Sequence, residues 1–185
     1  LQRINICHYI DNAPLIVRSI KNGNLKYIKD LINEGIELNA EIISDFNCIC
    51  SVCKTGKIDL FNFLLSYKPD INDVNECFNA LIDKHTYELN KKKPNKKLLN
   101  DCIKIGESLF NYFEFNLIED TINNAIYNYS LEFLELFVKH SINLNEIVLD
   151  YSRLISSKAI PIFVIFENQG YLFDTIKNNN KWGYY

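Results

Sequence analysis

Asn22-Gly23-Asn24-Leu25-Lys26-Tyr27-Ile28-Lys29-Asp30-Leu31-Ile32-Asn33-Glu34-Gly35-Ile36-Glu37-Leu38-Asn39 is the stretch on which the reading of this chain turns. Asn22-Gly23 supplies the positive φ of a tight turn and closes an apolar helix that begins near Pro14. Pro is well tolerated in a first turn, and Asp11 or Asn12 stands where a capping residue is needed. Beyond the turn, Leu25, Ile28, Leu31 and Ile32 fall on one face of a second helix. Gly35 stops that helix in the left-handed conformation, and Ile36-x-Leu38-Asn39 leads out of it. A helix, turn, helix and loop of this size cannot bury its own apolar faces, so it requires copies of itself.

The copies are present. At a shift of 33 residues Asn22-Gly23 becomes Thr55-Gly56, the stripe becomes Ile58, Phe61, Leu64 and Leu65, and Leu38-Asn39 becomes Ile71-Asn72. The pattern returns as Leu131, Leu134, Phe137 and Val138, ending in Leu144-Asn145, with Ala125 at the place of Ser19 and Val52. In a last unit Ile160, Phe163 and Phe166 fill the stripe, Gly170 marks the stop and Phe173-Asp174 closes it. The middle unit departs from this ruler. Its first helix reads as Cys77 to Asp83 and its second as Leu98 to Phe113, where Gly106 takes one of the four stripe positions and the exit is Leu117-Ile118. Between them His85 to Lys97 reads as a solvated loop rather than a packed element, because Lys91, Lys92, Lys93, Lys96 and Lys97 cluster around Pro94.

The period, the Asn-Gly-type turn, the Gly stop and the apolar-x-apolar-Asn exit together resemble the ankyrin repeat, most closely over Lys21 to Gly35. The resemblance covers about residues 13–174, strongly over 13–75, clearly over 121–145 and weakly elsewhere. The family's Thr-Pro-Leu-His opening survives only as Ala13-Pro14-Leu15. It implies an all-α, ankyrin-like solenoid of about five helix-turn-helix units, with most hairpin loops shortened to plain turns. The units run over 13–45, 46–75, 76–120 with the Lys-rich insertion 85–97, 121–148 and 149–174. Residues 1–12 read as a cap or the end of a preceding repeat, and 175–185 as a C-terminal tail. Degenerate arrays of this type occur in large DNA viruses and in A/T-rich unicellular eukaryotes, and they carry over no catalytic residue.

Composition bounds the function classes. The chain has 185 residues, 48% of them hydrophobic and 23% charged, which suits one globular domain or one compact array. A net charge of −3 and a pI near 5.7 argue against a general nucleic-acid binder. The longest apolar run, Ala159 to Phe166, is too short to span a bilayer. No secretory signal pattern opens the chain, and with no Met anywhere Leu1 reads as an internal start. The cysteines at 7, 48, 50, 53, 77 and 102 lie mainly in apolar helical patterns, the usage expected of reduced thiols in an intracellular, cytoplasmic setting.

Few residues suggest chemistry. Cys48-x-Cys50-x-x-Cys53 is the nearest approach to a metal motif, but 48 lies off the face shared by 50 and 53, and sister repeats carry small or apolar residues there. Buried packing is the expectation, with no metal and no cofactor. His8, His85 and His140 are scattered, and His140 falls at a helix C-terminus, where orphan carbonyls and the dipole welcome it. Glu132 and Glu135 share a face that carries Lys26 and Lys29 in the first unit, which marks solvated surface. No Ser/His/Asp grouping or phosphate-cradling loop is apparent.

The expected function is therefore non-catalytic protein binding through the concave side built from first helices and turns, with no membrane and no small-molecule substrate. Candidate contacts are Lys21 and Lys54 at corresponding turn positions, Tyr127 and Tyr129 at the turn of the fourth unit, and Trp182 in the aromatic tail. The competing expectation is a structural or assembly subunit of a large, RNA-containing complex, using Lys91, Lys92, Lys93, Lys96 and Lys97 against RNA phosphates or an acidic protein surface. No aromatic lies within that run, so base stacking has little support from sequence.

Overall fold

The computed structural model describes residues 14–71, 73–113, 119–144 and 160–170. Residues 1–13, the exits through Asn72, Leu117-Ile118, Asn145 and Phe173-Asp174, and the tail with Trp182 lie outside them. Among the described residues there are ten helices and no strand. The chain is all-α.

The turn chemistry read from Asn22-Gly23 has a defined geometry. Pro14 stands at the N-cap of α1 (Leu15–Lys21). That helix closes with Gly23 at φ +66°, its N–H bonded to the Ile20 carbonyl at 2.8 Å and the Asn24 N–H to the Ser19 carbonyl at 3.1 Å. These paired bonds satisfy carbonyls that the helix end would otherwise orphan. Asn24 Oδ1 then accepts from Tyr27 N–H at 3.1 Å and starts α2 (Leu25–Asn33). The same double closure ends α2 at Gly35, α8 (Glu119–Tyr127) at Tyr129 and α9 (Leu131–Lys139) at Ser141. Left-handed residues recur twelve positions apart, as Gly23 and Gly35, Gly56 and Lys68, and Tyr129 and Ser141.

The second hairpin is built from α3 (Ala40–Asp45), α4 (Cys48–Cys53) and α5 (Ile58–Leu65). The sequence reading did not foresee α3. Asn39, read only as an exit residue, caps it by accepting from Ile42 N–H at 2.9 Å. Asn47 at φ +47° separates α3 from α4. The third hairpin is long, α6 (Val74–Leu89) and α7 (Lys96–Tyr112), and α10 (Ile160–Asn168) follows α9.

Helices α1, α4, α6 and α8 touch in succession to form a first row, and α5, α7, α9 and α10 form a second, with α2 packed on α1. The stripe lies between the rows. Ile28 and Leu31, Phe61 and Leu64, and Leu134 and Phe137 are all buried. Leu25, Ile58 and Leu131 are half-buried at the same register. Each buried side chain of this size contributes about 1.5–3 kcal/mol, so the stripe is the main stabilising feature that the repeats share.

Two expectations need correction. His85 to Lys97 is not one solvated loop, because α6 continues to Leu89 and α7 begins at Lys96, leaving only 90–95 between them. The buried face of α6 continues through His85 and Glu88, 1% and 3% exposed, and their polarity disguised the helical period. At Gly106 the helices approach closely, since a Cβ there would meet Leu136 Cδ2 at 2.9 Å and the rings of Phe133 and Phe78 at 3.2 and 3.4 Å. In the last unit Ile160 is 61% exposed, and Ile162 joins Phe166 in the core.

Candidate functional site

Along the first row, neighbouring helices are joined by polar side chains that reach across from one to the next. Asn47 Nδ2 on the α3–α4 link donates to Glu76 Oε2 of α6 at 3.0 Å, and Lys54 lies 3.5 Å from the same carboxylate. From α8, Thr121 Oγ1 donates to Asn75 Oδ1 at 3.3 Å. Asn124 Nδ2 donates to Asn79 Oδ1 at 3.0 Å and reaches Asp83 Oδ1 at 3.4 Å. Asn128 Nδ2 in turn donates to Asn124 Oδ1 at 2.6 Å. The spacing of Asn75, Asn79 and Asp83 places one group per turn on one side of α6, and Thr121, Asn124 and Asn128 do the same for α8. Sequence reasoning missed this ladder. The regular spacing was visible, but the partners lie 41 to 46 residues apart.

The turn residues singled out from sequence are not equivalent. Lys21 and Lys54 are exposed, Lys54 in its pairing with Glu76. Tyr127 and Tyr129 are half-buried and pack against the core, so the α8–α9 turn does not present them as projecting rings. The first two turns are tied together, because Lys57 Nζ donates to the Gly23 carbonyl at 2.8 Å.

At the tip of the long hairpin, the Glu88 carboxylate organises the lysine run. It accepts from Lys91 Nζ at 2.6 Å and from the Asn95 N–H at 2.9 Å, while Asn95 Oδ1 caps α7 by accepting from Leu98 N–H at 3.2 Å. The Lys91 ammonium and the Asn95 N–H hold the Glu88 carboxyl below the ordinary range, and the carboxylate in turn holds Lys91 above its own. Lys91 is therefore engaged. Lys92, Lys93, Lys96 and Lys97 are exposed and form no ion pair among the described residues. The extended α6 also brings Tyr87 to this tip, with the Lys91 and Lys84 ammoniums 4.8 and 5.9 Å from its ring centre.

A groove of about 540 Å³ runs between α7 and α9, lined by His85, Leu99, Ile103 and Leu136, among others. Burial of the His85 ring lowers its pKa, and the charge of Glu132 offsets this in part. Its Nδ1 lies 3.5 Å from Ser130 Oγ, and its ring meets Phe133 edge-on at 5.6 Å. Ser130 is 1% exposed, and a contact at the outer limit of a hydrogen bond does not activate a covered hydroxyl. Further along, Glu107 Oε1 receives Lys139 Nζ at 2.7 Å and lies 3.3 Å from His140 Nε2. Lys139 chiefly, and His140 after it, hold that carboxyl below its ordinary range. His140 caps α9, as expected, and stacks on Phe110 with ring centres 4.2 Å apart.

The described cysteines are core. Cys48, Cys50, Cys53, Cys77 and Cys102 are buried free thiols, with Cys77 of α6 against Cys50 and Cys53 of α4. The contact with Cys77, and then burial, raises the pKa of Cys50. Burial pushes Cys48 up to about 12, eased by Lys21, and Cys102 up to about 11, eased by Lys84. Among the described residues no group of three or more His, Cys, Asp or Glu could hold a metal ion, and no helix is long and apolar enough to cross a membrane.

No protein-family model matches the chain, and no curated protein or solved structure matches it either.

Proposed function

We propose that the chain is a divergent ankyrin-like array that binds another protein, without catalysis, along the first helix row. The observation that carries this reading is the polar ladder from Asn47 through Glu76, Asn79 and Asn124 to Asn128. Stacked helix pairs build extended surfaces of this kind. Side chains already held by one another lose less freedom when a partner arrives, which favours binding. The twelve-residue interval between left-handed positions supports the ankyrin-like assignment. An intracellular, reducing setting belongs to the same proposal and is supported by the buried free thiols.

A photo-crosslinking residue placed at Asn79 or Asn128 is expected to capture a partner from the native source, whereas one placed at Lys29 or Asn62 is not. Reconstituted with that partner, Asn124→Arg should weaken binding at least about tenfold, the loss of roughly 1.4 kcal/mol typical of one disrupted interface residue. Capture from the second pair of positions, or affinity unchanged by Asn124→Arg, would count against the reading.

A further inference from the structure

We propose that the α6–α7 tip is a second site, which binds single-stranded nucleic acid by stacking a base on Tyr87 while the surrounding lysines hold the flanking phosphates. Six lysines, Lys84, Lys91, Lys92, Lys93, Lys96 and Lys97, fall on this tip and the helix ends beside it, in a chain whose net charge is −3. Lys96 shares the groove between α7 and α9 with Glu132 and Glu135, but the carboxylates nearest the other lysines do little to neutralise them. Glu88 is buried and already bonded to Lys91 and the Asn95 N–H, and Asp83 is turned toward Asn124. The site is therefore a local positive field on an acidic protein, the footprint that attracts a polyanion.

Two features narrow the ligand further. Tyr87 is 65% exposed, among the most exposed large apolar side chains of the described residues, and it lies within 6 Å of two ammonium groups. The Lys91 and Lys84 ammoniums lie over that ring, so an exposed aromatic and its cations are offered together; a base that stacks on Tyr87 releases them to its own phosphates, and every base has a π-face to offer. A duplex keeps its bases stacked on one another, and an acidic peptide brings charge without a comparable succession of rings. The second feature is electrostatic. Lys96 and Lys97 occupy the first turn of α7, where there is no acidic residue and the helix dipole is positive, so they are badly placed for helix stability. A local rule broken without a structural return is expected where a ligand supplies the compensation. The tip is also pre-formed, since Glu88 and Asn95 fix the short connection at both ends.

The test uses the full chain and fluorescence anisotropy of labelled oligo(rU) and oligo(dT) of about twelve nucleotides, within the span one such site covers. A duplex of the same length and poly-glutamate of equal charge complete the set. Both single strands are expected to bind; a preference for oligo(rU) would identify RNA, and one for oligo(dT) would identify DNA, as the source of the same chemistry. The plot of log affinity against log salt should have a slope on the order of −3, as four or five phosphate contacts dictate. Tyr87→Ala should weaken binding about 5- to 150-fold, the range measured for loss of one stacked base, and Tyr87→Trp should retain it. Replacing Lys92, Lys93, Lys96 and Lys97 with Gln should flatten the salt slope, while Lys26→Gln with Lys29→Gln should change nothing. Absence of binding would overturn the proposal, as would duplex or poly-glutamate bound as well as single strands, or affinity indifferent to Tyr87→Ala.

Discussion

Gly106 offers the sharpest test of how the second row is packed. Gly106→Ala should stabilise an open helical position by about 1 kcal/mol, because alanine restricts the unfolded chain and favours the helix. Here the added methyl would lie 2.9 Å from Leu136 Cδ2 and 3.2 Å from Phe133 Cε1. The Leu136 methyl is the end of a side chain that lines the groove and has room to turn. The Phe133 ring is fixed edge-on to His85 and tilted against Phe137, so it has little freedom to yield. Overpacking of this kind costs about 1–3 kcal/mol, which leaves a net loss of about 1 kcal/mol for Gly106→Ala and on the order of 3 kcal/mol or more for Gly106→Leu. Phe133→Ala costs about 3–5 kcal/mol by itself but removes the obstacle that cannot yield. In that background most of the cost of Gly106→Ala should disappear, a coupling of about 1–2 kcal/mol. Urea denaturation followed by helical circular dichroism measures all four corners of the cycle. Stabilisation by Gly106→Ala alone, or the same cost in both backgrounds, would refute the close approach of α7 and α9 at this point.

Leu64→Ala should open a cavity in the stripe and cost about 2–5 kcal/mol in the same assay, and a much smaller loss would mean the position is not core. Thermal stability should decline on acidification in two phases. The His85 pKa is depressed below 6.5 in the fold, so the unfolded chain takes up that proton first and stability falls as the pH drops below 6.5. Glu88 and Glu107 are held below 4.5, and the stability they confer is lost as the pH falls through their folded values. His85→Gln should remove the first phase, and a flat profile from neutrality to about pH 5 would show that His85 is not buried neutral. At most one of the six thiols should react with an aromatic disulfide in the native protein, and all six after unfolding, because five are buried away from the reagent. Rapid reaction of two or more would contradict that burial. Asp73→Ala removes the acceptor that caps α6 at the Glu76 N–H and should cost about 1 kcal/mol in denaturation; no loss would mean the cap is idle.

What could be read from the sequence was the apolar stripe and the turns that carry glycine. Ile28, Phe61, Leu64, Leu134 and Phe137 are all buried, because hydrophobic periodicity reports directly on the face that avoids water. Gly23, Gly35 and Gly56 take the left-handed conformation that glycine permits. The equivalent positions Lys68, Tyr129 and Ser141 take it too, and no residue type announces this. Polar residues in apolar roles misled the reading most. His85 and Glu88 continue the buried face of α6, so the loop expected from His85 in fact begins only after Leu89 and ends at Lys96. The ladder of the first row was hidden for a different reason, since hydrogen bonds between separate helices leave no local pattern. Tyr87 became relevant to the lysines only once α6 was seen to reach them.

The twelve-residue spacing of left-handed positions has a consequence for how much stability the chain holds in reserve. Lys68 and Ser141 are exposed and carry a Cβ in a conformation that disfavours one. Each is a site where the third dimension constrains the backbone more strictly than it constrains the side chain. A return to glycine at either position should recover roughly 1 kcal/mol or less without touching a packed group. The turns can thus differ widely in spelling while keeping the same bend, and an engineer could add stability one turn at a time.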